Sequence, residues 1–254
     1  MSKILFKNPE AVDPATEPKT LLERRSFLRY TGLSLAAGGL LLAGCSKELD
    51  NVTAAPGVTN ATEADGTMVD VGSGDLGILN YAYALEQLEA AFYAMVLEGK
   101  YYKETSAPAR EVLRDIEAHE RIHRDFLKKA IMSTGGMIIK DLEPDFSAID
   151  FNTKEGVLGA AKAFEDLGVS AYNGAGPLIE SPDYLTIAGK IVSVEARHAA
   201  IIRDFLDYNS FVGPDVVDPS TGLEKSRMPA EVASLANMYL KPGSKISVAN
   251  LPTS

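Results

Sequence analysis

The sequence predicts an all-α protein: a four-helix bundle with one long crossover between helices two and three, plus a short C-terminal helix. Three observations carry this reading. Apolar residues recur every three or four positions in four long stretches between residues 75 and 208. Sustained period-two alternation, the mark of half-buried strands, appears nowhere in that span. Helix-starting and helix-stopping residues bracket each stretch, and the gap between the second and third is too long for a tight turn.

The first helix is predicted from Asp75 to Glu98, where Leu79, Ala82, Glu86, Glu89, Tyr93 and Val96 share one stripe and Gly99 ends the run. The second begins near Ser106, with Pro108 at an early position that needs no N–H. Leu113, Ile116, Glu120, His123, Leu127 and Ala130 form its stripe, and Gly135-Gly136 stops it. Residues 137–152 hold Pro144, several Asp and no helical period, so they are predicted to cross over. Asn152 with Glu155 three residues later reads as a capping box for the third helix. Its stripe is Val157, Ala161, Glu165, Gly168, Tyr172 and Ala175, with Gly174 and Gly176 as its stop. Ser181-Pro182-Asp183 opens the fourth, which continues through Ala188, Ile191, Glu195, His198, Ile202 and Phe205 to about Tyr208. Beyond Asn209, Pro and Gly dominate apart from a short helix near Pro229 to Leu240.

Length and composition fit one globular domain: 254 residues, 46% apolar and 24% charged. Lys plus Arg number 25 against 35 Asp plus Glu, a formal charge of −10 that argues against nucleic acid or anionic lipid and for cations. Residues 1–45 read as an export signal. Arg24-Arg25-Ser26-Phe27-Leu28-Arg29 precedes an apolar run from Leu33 to Ala43, and Leu42-Ala43-Gly44-Cys45 follows. The paired arginines resemble the twin-arginine signal of bacteria, and Leu-Ala-Gly-Cys resembles a lipobox, which would make Cys45 the lipid-bearing residue. As Cys45 is the chain's one cysteine, no intramolecular disulfide can form. Residues 46–74, rich in Thr, Ala, Gly, Asn and Asp, are expected to be a flexible linker to a bundle at 75–208, with a C-terminal extension at 209–254 covering one end.

Ionisable residues interrupt the core-facing stripe of every helix, where a lone charge would be very costly. Glu86 lies on the first, Glu120 and His123 on the second, Glu165 on the third, and Glu195 and His198 on the fourth. Glu-x-x-His puts carboxylate and imidazole on one face, one turn apart, within reach of one ion. The order Glu, ExxH, Glu, ExxH is the di-metal pattern of helical bundles, and its intervals of 34 and 30 residues suit a duplicated hairpin. Tyr93 follows Glu86 by seven residues and Tyr172 follows Glu165 by the same seven. Each is expected beside the site, hydrogen-bonding a ligand carboxylate, giving up an electron, or simply filling the core. Glu89 shares the stripe with Glu86 and is the competing ligand, or else a partner supporting a ligand from behind or an added bridging one. Glu117 and His119 are expected to face solvent or a neighbouring helix, and Asp166 to be a surface charge.

The helical region resembles the ferritin-like superfamily. Leu85–Tyr93, Phe164–Tyr172 and Val194–His198 are similar to the branch that includes plant desiccation-related proteins. The resemblance implies two Fe or Mn ions bound by Glu86, Glu120, His123, Glu165, Glu195 and His198. It further implies either an oxidoreductase acting on oxygen, peroxide or ferrous iron, ferroxidase-like or manganese-catalase-like, or a non-catalytic metal-binding or stress-protective protein. The expected partners are metal ions and small oxidants, with a membrane reached through the N-terminal lipid on the periplasmic side or cell envelope. A homo-oligomer is compatible with all of this.

Overall fold

Helix α1 (Gly74–Glu98) is apolar nearly all round, so it is stable as a helix only when every face is covered. Helix α3 (Ala107–Ser133) pairs along it, and α4 (Lys154–Ala175) pairs with α5 (Pro182–Leu206). The two hairpins then meet, α1 against α4 and α3 against α5. A computed structural model describes residues 63–64 and 68–253 of the protein. The predicted export signal, Cys45 and most of the expected linker lie outside the described residues.

Three of the four bundle helices, α3, α4 and α5, begin where short polar side chains take up free N–H groups. Ser106 accepts from the Ala109 N–H, and Ser181 from the Tyr184 N–H. For α4 the cap is Thr153, which accepts from the Gly156 N–H, whereas the predicted Asn152 is instead tied to Asp150. Gly174 does not stop α4, which runs to Ala175 before a 3₁₀ turn at Gly176–Leu178. A five-residue helix, α2 (Lys100–Glu104), fills the turn between α1 and α3.

The crossover, residues 134–153, lies along α1 and is strapped to it by Asn80, Gln87 and Tyr83, whose hydroxyl donates to Asp141. Asn80 donates to Val71 O and Met137 O and accepts from Ile139 N–H; Gln87 accepts from Leu142 N–H. Ile138, Ile139 and Phe146 are thereby buried, each worth about 1.5–3 kcal/mol.

The C-terminal extension packs against α1 and α4, and its last residues return to the start of α1, where Leu251 lies against Gly77. Helix α6 (Pro229–Ala236) packs on α4 and α1, burying Val232, Ala233 and Ala236. Arg227 N–H donates to Ser170 O, and a Cβ on Gly174 would stand 1.8 Å from Arg227 O, so glycine there is what permits the approach. The stretch read as a linker is not structureless to its end. Strand β1 (Glu63–Ala64) pairs antiparallel with β2 (Met68–Asp70), which pairs in parallel with β3 (Lys245–Ser247). Among the described residues, no helix is long and apolar enough to cross a membrane.

Candidate metal centre

Helices α1, α3, α4 and α5 each turn their acidic stripe inward at the same level. The result is a closed cage of Glu86, Glu120, His123, Glu165, Glu195 and His198, in which the four carboxylates are at most 1% exposed. Their ligand atoms form two overlapping sets, each confined within 4.8 Å: Glu86, Glu120, His123 and Glu195, and Glu120, Glu165, Glu195 and His198. Glu120 and Glu195 belong to both, so they stand between two positions whose other corners are Glu86 with His123 and Glu165 with His198.

Near-twofold symmetry relates the halves. His123 Nδ1 lies 2.7 Å from Glu195 Oε1 and 3.6 Å from oxygens of Glu86 and Glu120. His198 Nδ1 lies 2.7 Å from Glu120 Oε1, 3.2 Å from Glu195 and 3.6 Å from Glu165. The tyrosines cross over: Tyr93 on α1 donates to Glu165 Oε1 at 2.5 Å, and Tyr172 on α4 donates to Glu86 Oε1 at 2.6 Å. Seven residues is almost two turns, which carries each ring past its own glutamate to the glutamate of the facing helix.

The remaining atoms decide whether the cage suits a cation. Glu86 Oε2, both oxygens of Glu120, His123 Nδ1, Glu165 Oε2 and Glu195 Oε1 are buried without a well-directed hydrogen bond. They are gathered within a few ångströms of one another, close enough to share one cation. Polar atoms left so in an interior are costly unless something shared satisfies them. Hard carboxylate oxygens with two imidazole nitrogens are the donor set of divalent first-row metals such as iron and manganese.

Without a cation, protons balance the charge. Burial pushes Glu86 well above the carboxylate range and Glu165 up to about 8. Burial would raise Glu120 as well, but the imidazoles of His123 and His198 hold it down at about 2. Burial opposes charge on both histidines, yet the surrounding carboxylates lift each to about 12.

Glu89 is buried beside the cage, and burial raises it well above the carboxylate range, but it belongs to neither four-residue set. It occupies the third position after Glu86; the corresponding residue after Glu165 is Gly168, where an added Cβ would stand 2.9 Å from Glu89 Oε1. Asp166 is not a simple surface charge: its carboxylate is 2.7 Å from the buried guanidinium of Arg203, which also holds Asp215 at 2.7 Å. His119 reaches the facing helix, its Nδ1 2.9 Å from His198 Nε2. The available signal was that His119 immediately precedes Glu120 and stands four residues before His123 on the same helix.

Residues 74–207, more than half of the chain, match the model of the ferritin-like domain. Among curated proteins none matches the chain.

Proposed function

The chain belongs to the ferritin-like domain family, and on that premise we propose that it holds two Fe or Mn ions and reacts with dioxygen, peroxide or ferrous iron. One observation carries the proposal: the buried oxygens and nitrogen of the cage converge without satisfying each other. Glu86 and His123 would hold one ion, Glu165 and His198 the other, with Glu120 and Glu195 between them. Bound there, either metal supplies reversible one-electron chemistry, with oxygen donors favouring its higher oxidation state.

The chain's own groups limit what can react. Leu85, Leu127, Tyr172 and Ile191 line an apolar cavity of about 30 Å³ within a turn of the cage, room for a small uncharged oxidant to approach it. Tyr93 and Tyr172 fix one oxygen of Glu165 and Glu86, leaving the other free to ligate. Burial, with the adjacent carboxylates, keeps both phenols protonated far above neutral pH. An electron leaving either ring would release the phenolic proton, and the paired glutamate, having shed its own proton to a bound ion, would be placed to accept it.

We also take residues 1–45 as a twin-arginine export signal with lipid attached at Cys45, so that the bundle stands membrane-anchored outside the cytoplasm. That route carries folded proteins and would let metal be inserted beforehand, where availability rather than affinity selects it. Incorporation of labelled fatty acid, lost in Cys45→Ala, tests the anchor.

Elemental analysis of the protein from its native host tests the centre. About two Fe or Mn per chain is expected, lost in Glu120→Ala/His198→Ala while helicity persists. Absence of metal after anaerobic ferrous and manganous loading would overturn the proposal. Oxygen consumption on ferrous addition, or oxygen release from peroxide, separates turnover from a non-catalytic metal-binding or protective role.

A further inference from the structure

The two halves of the cage match closely at the ligands and differ immediately behind them. His119 precedes Glu120 on α3; the corresponding residue on α5, preceding Glu195, is Val194, whose side chain carries no polar atom. His119 is exposed, while the His198 side chain is 6% exposed. Their rings lie 12° from parallel with centroids 5.1 Å apart and Nδ1 of His119 2.9 Å from Nε2 of His198. Two ring radii plus that nitrogen separation account for the whole centroid distance. The imidazoles are therefore edge to edge in nearly one plane, the arrangement in which a ring N–H points along its neighbour's lone pair.

Proton placement follows from the partners. His198 Nδ1 faces carboxyl oxygens of Glu120 at 2.7 Å, Glu195 at 3.2 Å and Glu165 at 3.6 Å, so that nitrogen takes either a proton or a cation. When a cation takes it, the ring's one proton sits on Nε2, and His119 Nδ1 is the acceptor waiting there. His119 then carries its own proton on Nε2. His123 presents Nδ1 to its three carboxylates in the same way, but among the described residues no protein group meets its Nε2, and its side chain is 13% exposed.

We propose that His119 is a positioning residue that holds His198 as the Nε2–H tautomer with its ring aimed into the cage, making the Glu165–His198 position the tighter of the two. This rests on the two-ion reading above. A partner fixed on a helix is already ordered before the ion arrives, and among the described residues His123 has none. Outer partners of ligating histidines typically change metal affinity by about 10–100-fold, which sets the expected separation between the two positions.

The test is anaerobic titration of the full chain with cobalt(II), read by its visible absorption, beside nitrogen-15 NMR of the histidine rings in the ion-free protein. Two resolved binding steps are expected in the natural protein. His119→Ala should weaken the tighter step by about 10–100-fold and leave the other unchanged, and His119→Asn, which restores an acceptor, should recover most of it. A slowly exchanging Nε2 proton on His198, absent in His119→Ala, is the signature that needs no metal. Unchanged cobalt affinities in His119→Ala, or equal weakening of both steps, would overturn the assignment. A natural protein that binds no cobalt at all would overturn the two-ion reading and this one with it, and that outcome is distinguished by the natural protein alone.

Discussion

Loading the cage with two divalent ions should release about four protons per chain at pH 7, because a ligating nitrogen or oxygen must shed its proton first. The four come from named groups. His123 and His198 resist the discharging effect of burial and stay imidazolium, held up to about 12 by the carboxylates around them. Glu165 retains its proton because burial lifts it to about 8, and burial carries Glu86 well above the carboxylate range. Glu120, held at about 2 by the two imidazoles against the effect of burial, has none to give. Two protons per ion make the apparent affinity climb by about 100-fold per pH unit around neutrality. The assay is anaerobic manganous titration of the ion-free protein in weak buffer with a pH electrode, paired with calorimetry in two buffers of different ionisation heat. Uptake of two ions with fewer than two protons released would refute the protonated cage, as would an affinity that does not rise from pH 6 to 8.

The same groups set the stability of the ion-free protein. Glu165 binds its proton more tightly folded than unfolded, so its contribution is complete below about 4.5 and lost as pH rises through about 8. His123 and His198 add losses in the same direction above 6.5. The thermal midpoint by circular dichroism should therefore fall steadily from pH 5 to 9 without metal; a flat or rising profile would contradict the assigned protonation. Tyr172→Phe removes the donor to buried Glu86 Oε1 and should lower stability by about 1–3 kcal/mol in urea unfolding, with Tyr93→Phe costing a similar amount through Glu165. Gly174→Ala drives a Cβ into Arg227 O and should cost about 3 kcal/mol or more, measured the same way. Gly159→Ala, in the same helix with open space at its Cβ, should instead add roughly 0.5–1 kcal/mol.

The bundle was legible because its signals are local. Each helix carries its own stripe, and a glutamate or histidine on that stripe declares itself without knowledge of the fold. Crossing of the tyrosines was not legible, since seven-residue spacing puts Tyr93 near the cage level but cannot say that Glu165, not Glu86, receives its proton. Thr153 and Asn152 are both good capping residues, and only the fold of the preceding loop, where Asp150 engages Asn152, assigns the role to Thr153. The β2–β3 pairing joins Met68–Asp70 to Lys245–Ser247, three-residue strands too short to show any period and too far apart in sequence to suggest each other. Arg203 and Asp215 likewise meet only after the C-terminal extension has wrapped back along α4 and α5.

The burial that closes the cage also makes it expensive, and the fold places the compensation outside it. Five carboxylates and two imidazoles share one interior layer, so the ion-free core is held by protons alone. Apolar contact is supplied on both sides: Phe92 and Phe164 pack 4.9 Å apart next to Phe146 and Phe151, and Leu127, Ile131 and Ile191 fill the layers at the other end. The crossover and C-terminal extension then seal both flanks of α1, the helix that carries Glu86 and Glu89. With the walls packed this way, the ligands have little room to relax apart towards water, and on the two-ion reading the cage answers by exchanging its protons for cations.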